Sequence, residues 1–184
     1  MRTTQVLCLI LPLMLVTSCA TTTMKNKTAI LETNYGTITL ELFEDKTPIT
    51  TKNFMDLAEK GVYDGTKFHR VIKNFMIQGG DPLTKDDTQK ELWGTGGPGY
   101  EIADEFAPGL SNVKGTIAMA NHGPNTGGSQ FLINLADNTY LEGKHAVFGK
   151  VIEGMDIVEK IGSLPTDGQD RPKEDVVLQK VTIK

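Results

Sequence analysis

The chain has little of what redox, metal and nucleic-acid chemistry require. It holds two cysteines in 184 residues, Cys8 and Cys19, both near the start. The body that follows is therefore expected to have no disulfide and no thiol nucleophile. Three histidines, His69, His122 and His145, stand far apart without metal-ligand spacing, so no metal is expected. The net charge is −4 and no basic run exists, which argues against nucleic acid as a partner. The longest apolar stretch, Val6 to Val16, is broken by Pro12 and falls short of the roughly 20 residues of a membrane span. What remains is ordinary for a soluble protein: 39% apolar, 23% charged, long enough for one domain with its own core.

Residues 1–18 do not read as part of that domain. Arg2 is a short basic start, and Val6 to Val16 has the length of an export signal's apolar region. Leu15-Val16-Thr17-Ser18-Cys19 resembles the lipobox of bacterial lipoproteins. That resemblance implies cleavage before Cys19, lipidation of its thiol, and an exported protein held at a membrane, facing the periplasm or the cell surface. Two or more acyl chains anchor firmly where one binds marginally. Residues 19–27 then form the lipidated cysteine and a flexible tether, and residues 28–184 the domain.

Within the domain, Ala29–Thr33 and Thr37–Phe43 flank Asn34-Tyr35-Gly36 and predict a β-hairpin, with Gly36 at positive φ. Thr47-Pro48 predicts a helix start, with Ile49, Phe54, Leu57 and Ala58 on its apolar face and Gly61 as its stop. Pro82 to Gly109 reads as a long irregular connection, the kind that carries function in a compact domain. Strands are expected at Thr116–Ala120, Ser129–Asn134, Ala146–Ile152 and Val176–Ile183, with a helix near Met155–Ile161. Strands outnumber helices, which predicts an antiparallel barrel or sandwich with two helices and no second domain.

Two motifs mislead. Gly94-Thr95-Gly96-Gly97-Pro98-Gly99 fits G-x-G-x-x-G literally, but no good strand precedes it, and position 114 is Lys. It reads as a surface loop, not a dinucleotide site. Gly127-Gly128-Ser129-Gln130-Phe131 lacks the second glycine of a nucleophile elbow. Asp81, Asp104 and Glu105 show no pairing suited to acid–base work and read as solvated acids. His69 reads as a structural residue inside a strand.

The most informative stretch is Phe68-His69-Arg70-Val71-Ile72-Lys73-Asn74-Phe75-Met76-Ile77-Gln78-Gly79-Gly80-Asp81. Its period-two alternation predicts two short strands, each with one buried face. Arg70 and Gln78 sit among apolar neighbours, where an arginine and an amide can grip a peptide without a nucleophile. On periodicity alone, Phe75, Met76, Leu132 and Leu141 read as core, and Arg70 as a salt-bridge residue. This stretch, with Gly94-Thr95-Gly96-Gly97, Gly115–Asn121, Asn125–Phe131 and Leu141–Gly149, resembles the cyclophilins, which are peptidyl-prolyl cis-trans isomerases (rotamases). The resemblance runs from residue 28 to 184.

The resemblance implies a mainly β fold: a closed eight-stranded antiparallel barrel capped by two helices. It makes Arg70 the catalytic residue and lines the proline pocket with Phe75, Met76, Leu132, Leu141 and His145. Gln78 and Asn121 would hold the peptide, Asn121 through its backbone, with Ala120 and Gln130 alongside. Leu132 stands where many members have Phe, Tyr140 where many have Trp, and His122 replaces a usually small residue. The implied partners are proline-containing polypeptides, the implied cofactor none, and the default state a monomer. A proline-peptide binding module or chaperone with little turnover is the competing function.

Overall fold

The computed structural model describes residues 26–184. The signal peptide, Cys19 and most of the tether lie outside the described residues. Nine strands and two helices follow in the order β1 (Thr28–Thr33), β2 (Gly36–Leu42), α1 (Pro48–Glu59), β3 (Thr66–Lys67), β4 (Arg70–Ile72), β5 (Met76–Gly79), β6 (Thr116–Met119), β7 (Phe131–Asn134), β8 (Val147–Glu153), α2 (Met155–Gly162) and β9 (Val177–Ile183). The hairpin forms where alternation places it, and Gly36 closes it at φ +136, which a side chain rarely adopts.

All nine strands join one antiparallel sheet in the order β3-β9-β1-β2-β8-β6-β7-β5-β4. The expected closed eight-stranded barrel is corrected here. A ninth, two-residue strand appears, and among the described residues no ladder joins the outermost strands β3 and β4. Yet only Phe68 and His69 separate those strands in the chain. So short a link spans at most about 10 Å, so the sheet must curl back almost onto itself. Phe68 N–H donates to the Val176 carbonyl (2.9 Å) and Val71 N–H to that of Asp170 (2.8 Å), which stitches the seam without a ladder.

The curled sheet encloses the main core. Val71, Ile77, Ile117 and Ile133 point into it with Leu31, Leu40 and Leu42. Phe54 of α1 meets Tyr63, Phe131 and Phe148 with ring centroids 5.0, 5.7 and 5.4 Å apart. From α2, Val158 and Ile161 are fully buried. Ile49 is corrected from the apolar face: it is 51% exposed. The first turn of α1 serves instead as a docking point for Glu105, whose carboxylate accepts from the Ile49 and Thr50 N–H groups at 3.1 and 2.5 Å. Thr47 precedes the helix as expected, but its hydroxyl donates to the Phe43 carbonyl (3.1 Å) and caps nothing.

Candidate active site

Strand register decides what shares a face. Arg70 lies opposite Gln78, Gln78 opposite Leu132, Leu132 opposite Ala118, and Ala118 opposite Val147. Directly paired residues present side chains to one side of a sheet. The neighbouring row, Val71, Ile77, Ile133 and Ile117, fills the enclosed core, so the Arg70 row faces outward. Met76, Ala118, Leu132 and Val147 form a second apolar cluster there, with Phe75, Ile72, Phe43 and Leu110 packed against it. These residues are core-like in burial but belong to the outer face.

Arg70 is half exposed, and its Nε stands 3.6 Å from the Asp170 carboxylate. Beside it, Gln78 Nε2 donates to Gln130 Oε1 (2.9 Å), and Gln130 Nε2 donates to the carbonyls of Gly94 (3.0 Å) and Gly96 (2.8 Å). Gln78 thus joins the apolar cluster to a cavity of about 870 Å³, lined also by Gly94–Glu101, Ala120, Asn121, His122 and Gln130. His122 reaches across to Glu101, with Nε2 3.5 Å from the carboxylate.

The remaining expected residues fall around this groove. The Tyr140 ring, 61% exposed, stacks on Phe75 with centroids 6.0 Å apart. Leu141 is buried. His145 Nδ1–H donates to the Met119 carbonyl (3.0 Å), which leaves Nε2 as the free ring nitrogen. The Asn121 side chain is occupied, donating to the Lys144 carbonyl at 2.6 Å. Phe75, Met76, Leu132 and Leu141 do not line the large cavity; the first three belong to the outer apolar cluster on the other side of Gln78.

Sequence reasoning missed two supports. Asp81, read as solvated, is fully buried. Its carboxylate accepts from the N–H groups of Leu83 (2.8 Å), Gly94 (2.5 Å) and Gly96 (3.3 Å) and so shapes the glycine loop. The second support is a buried amide relay. Asn138 Nδ2 donates to the Phe75 carbonyl (2.9 Å) and to Asn134 Oδ1 (2.8 Å). Asn134 Nδ2 donates to Asn112 Oδ1 (3.2 Å), and Asn112 Nδ2 to the His145 carbonyl (3.1 Å). The relay fixes Phe75 and His145 relative to each other. His69 is corrected too: it lies in the seam link, outside any strand, buried with neither ring nitrogen hydrogen-bonded. Burial holds its pKa below the usual imidazole value, against the pull of Asp81.

The fold and the groove define a mainly β protein whose curled antiparallel sheet carries an arginine, amides and an apolar patch on its outer face. The comparisons make that specific. The family model for cyclophilin type peptidyl-prolyl cis-trans isomerase/CLD matches residues 28–183, and the chain belongs to this family of isomerases. It is 47% identical over 154 residues to peptidyl-prolyl cis-trans isomerase-like 1 of Neurospora crassa, covering 83% of this chain and 91% of that one. To the Homo sapiens isomerase-like 1 protein it is 47% identical over 151 residues, covering 82% and 88%. A crystal structure of a Cryptosporidium parvum cyclophilin type peptidyl-prolyl cis-trans isomerase superposes with a TM-score of 0.79 at 34% identity, covering 86% of this chain and 98% of that one. The same protein in the presence of the dipeptide Ala-Pro superposes with a TM-score of 0.78.

One expectation is overturned. The first residues predict a bacterial, exported isomerase anchored by lipid at Cys19, but the relatives just named are isomerase-like proteins of eukaryotes. Among the described residues, no helix is long and apolar enough to cross a membrane.

Proposed function

We propose that this groove takes an X-Pro segment with the proline ring against Phe75, Met76, Leu132 and Leu141, and that Arg70 is the catalytic residue. Gln78 and the Asn121 backbone hold the peptide, with Ala120, Gln130 and His145 bordering it and Tyr140 at the rim. The observation that carries this reading is the cross-strand row, in which the half-exposed guanidinium of Arg70, the Gln78 amide and apolar Leu132 follow one another on one face.

The chemistry follows from the amide. Rotation must break resonance, a barrier of about 18–20 kcal/mol. The two X-Pro isomers differ by only about 0.5–1 kcal/mol, so the catalyst need only favour the twisted amide over both planar forms. On twisting, the prolyl nitrogen regains its lone pair and accepts a hydrogen bond. A guanidinium aimed there stabilises the twisted state selectively. Arginine suits this because it stays charged and carries donors in fixed geometry. The apolar patch holds the ring while the carbonyl side rotates, and it excludes water, which strengthens the hydrogen bond.

Arg70→Ala is expected to keep the fold and lose about 10²–10³ in turnover, the usual effect of removing one transition-state donor. A protease-coupled assay on residues 26–184 measures this. Near-normal turnover in the variant removes Arg70 from the mechanism. Tight peptide binding by a wild-type protein without turnover identifies a binding module instead.

A further inference from the structure

We infer that Lys67 is a positioning residue for the peptide site, acting through residues 82–93 and Trp93 on the glycine loop that Gln130 grips. The inference rests on the reading of Gln78 and Gln130 as peptide-holding groups.

Lys67 is an unusual residue to find in β3. Its side chain is 10% exposed, yet it carries an ammonium. A buried charge is tolerated only when paired, and an apolar residue serves stability as well. Here the ammonium is shared between two carboxylates from distant parts of the chain, Asp87 and Asp175, the latter at 2.7 Å. It also lies 4.9 Å from the centroid of the Trp93 ring, within cation–π range. Asp87 and Trp93 belong to the connection that follows β5, which folds into two 3-10 turns, Pro82–Lys85 and Asp87–Leu92. Lys67 also reaches the first turn, its N–H donating to the Thr84 hydroxyl at 2.8 Å. One residue of an edge strand therefore clamps both turns.

From Trp93 the chain passes directly to the site. The Trp93 indole N–H donates to the Asp86 carbonyl (3.2 Å), so the ring is fixed on the backbone of the strap formed by residues 82–93. The next residue, Gly94, donates its N–H to Asp81 and accepts from Gln130 Nε2. Gln130 in turn accepts from Gln78, which lies opposite Arg70. His69, 3.5 Å from where a Cβ of Gly94 would stand, makes no hydrogen bond to the loop. The position of Gly94 is thus set by Asp81 on one side and by the clamped strap on the other. Loosening the clamp lets Gly94 and Gly96 shift, and the amide pair that meets the peptide shifts with them.

Trp93 is the sole tryptophan of the chain, and it does not line the cavity. Its emission therefore reports the strap without touching the peptide. In the 26–184 protein, titration with the non-absorbing peptide Ala-Ala-Pro-Ala should change Trp93 emission, and turnover is followed on an Ala-Ala-Pro-Phe anilide. In Lys67→Met, the emission response should disappear and KM rise about fivefold, with kcat within about twofold of wild type, the scale of coupling through a packed network. Lys67→Arg, which keeps the charge and the stacking, should restore both. An unchanged KM with an intact emission response in Lys67→Met overturns the inference, as does a fall in melting temperature with no change in KM. If Lys67→Met does not fold, Asp87→Asn, which frees the strap but leaves the pair with Asp175, decides by the same readouts. Gln130→Ala separates the two readings: if it leaves KM unchanged, the assignment of the amide pair fails. If it raises KM while Lys67→Met does not, only the role of Lys67 fails.

Discussion

Asp81 has no exposed surface, and it accepts hydrogen bonds from three backbone N–H groups of the segment that follows it. Gly96 must stay a glycine for this to work, because a Cβ there would stand 2.0 Å from Asp81 Oδ1 and 2.8 Å from Leu83 Cγ. Gly96→Ala therefore forces the loop away from Asp81 and should raise KM for an X-Pro peptide more than it lowers kcat. Steady-state kinetics with varied peptide check this, and an unchanged KM would show that the loop has no part in binding. None of this is legible in the sequence. A single acid in a run of Gly and Pro carries no periodic signal, and its partners are backbone groups that look alike at every residue. Arg70 and Gln78 were easier, because each is a polar residue in an alternating apolar run.

Most strands follow from period-two alternation and most boundaries from turn residues, so β1, β2 and β6 to β9 lie within one or two residues of where the pattern puts them, and β4 and β5 are the two short strands of the Phe68–Asp81 stretch. Two kinds of element escape that logic. β3 is two residues long, too short for any period, and exists because β9 pairs with it. The 3-10 turns of residues 82–93 hang on single contacts, such as Asp86 accepting from Thr88 N–H at 2.9 Å, and not on an apolar stripe. The amide relay is hidden for a related reason: Asn112, Asn134 and Asn138 come from a loop, a strand end and another loop, and meet only when the sheet curls. Asn138→Ala leaves Asn134 Oδ1 buried without its donor, whereas the Phe75 carbonyl still accepts from the Leu135 N–H at 2.9 Å. Such a loss costs about 1–3 kcal/mol. Calorimetry should show the melting temperature lowered by about 2–12 °C, given about 2–4 °C per kcal/mol for a chain of this size. A melting point within a degree of wild type would mean that the relay does not bear on stability.

At the scale of the molecule, stability should depend on pH through His69. Burial depresses its pKa in the folded state, whereas the unfolded chain titrates near the ordinary value of about 6.5. Below that value the unfolded chain takes up a proton that the native protein refuses, so stability is complete above it and declines as pH falls toward the depressed pKa. Asp86 and Asp167, whose carboxylates are held low by hydrogen bonds from Thr88 and from the Gln169 backbone, act only in a more acidic window. Urea midpoints between about pH 7.5 and 5.5 should therefore fall in wild type and flatten in His69→Gln. Equal slopes for the two proteins would remove His69 as the cause.

The seam between β3 and β4 bears on how this protein behaves in a crowd. An open sheet ends in rows of unpaired donors and acceptors that invite a second molecule to add its own strand. Here the two outermost strands are two and three residues long, and the Phe68-His69 link holds them next to each other. The Arg70 charge stands half exposed at the β4 margin, while Lys67 on β3 is buried against Asp87 and Asp175. A neighbour finds too few backbone groups to grip and a half-exposed guanidinium to desolvate, so the domain carries its own defence against edge-to-edge aggregation.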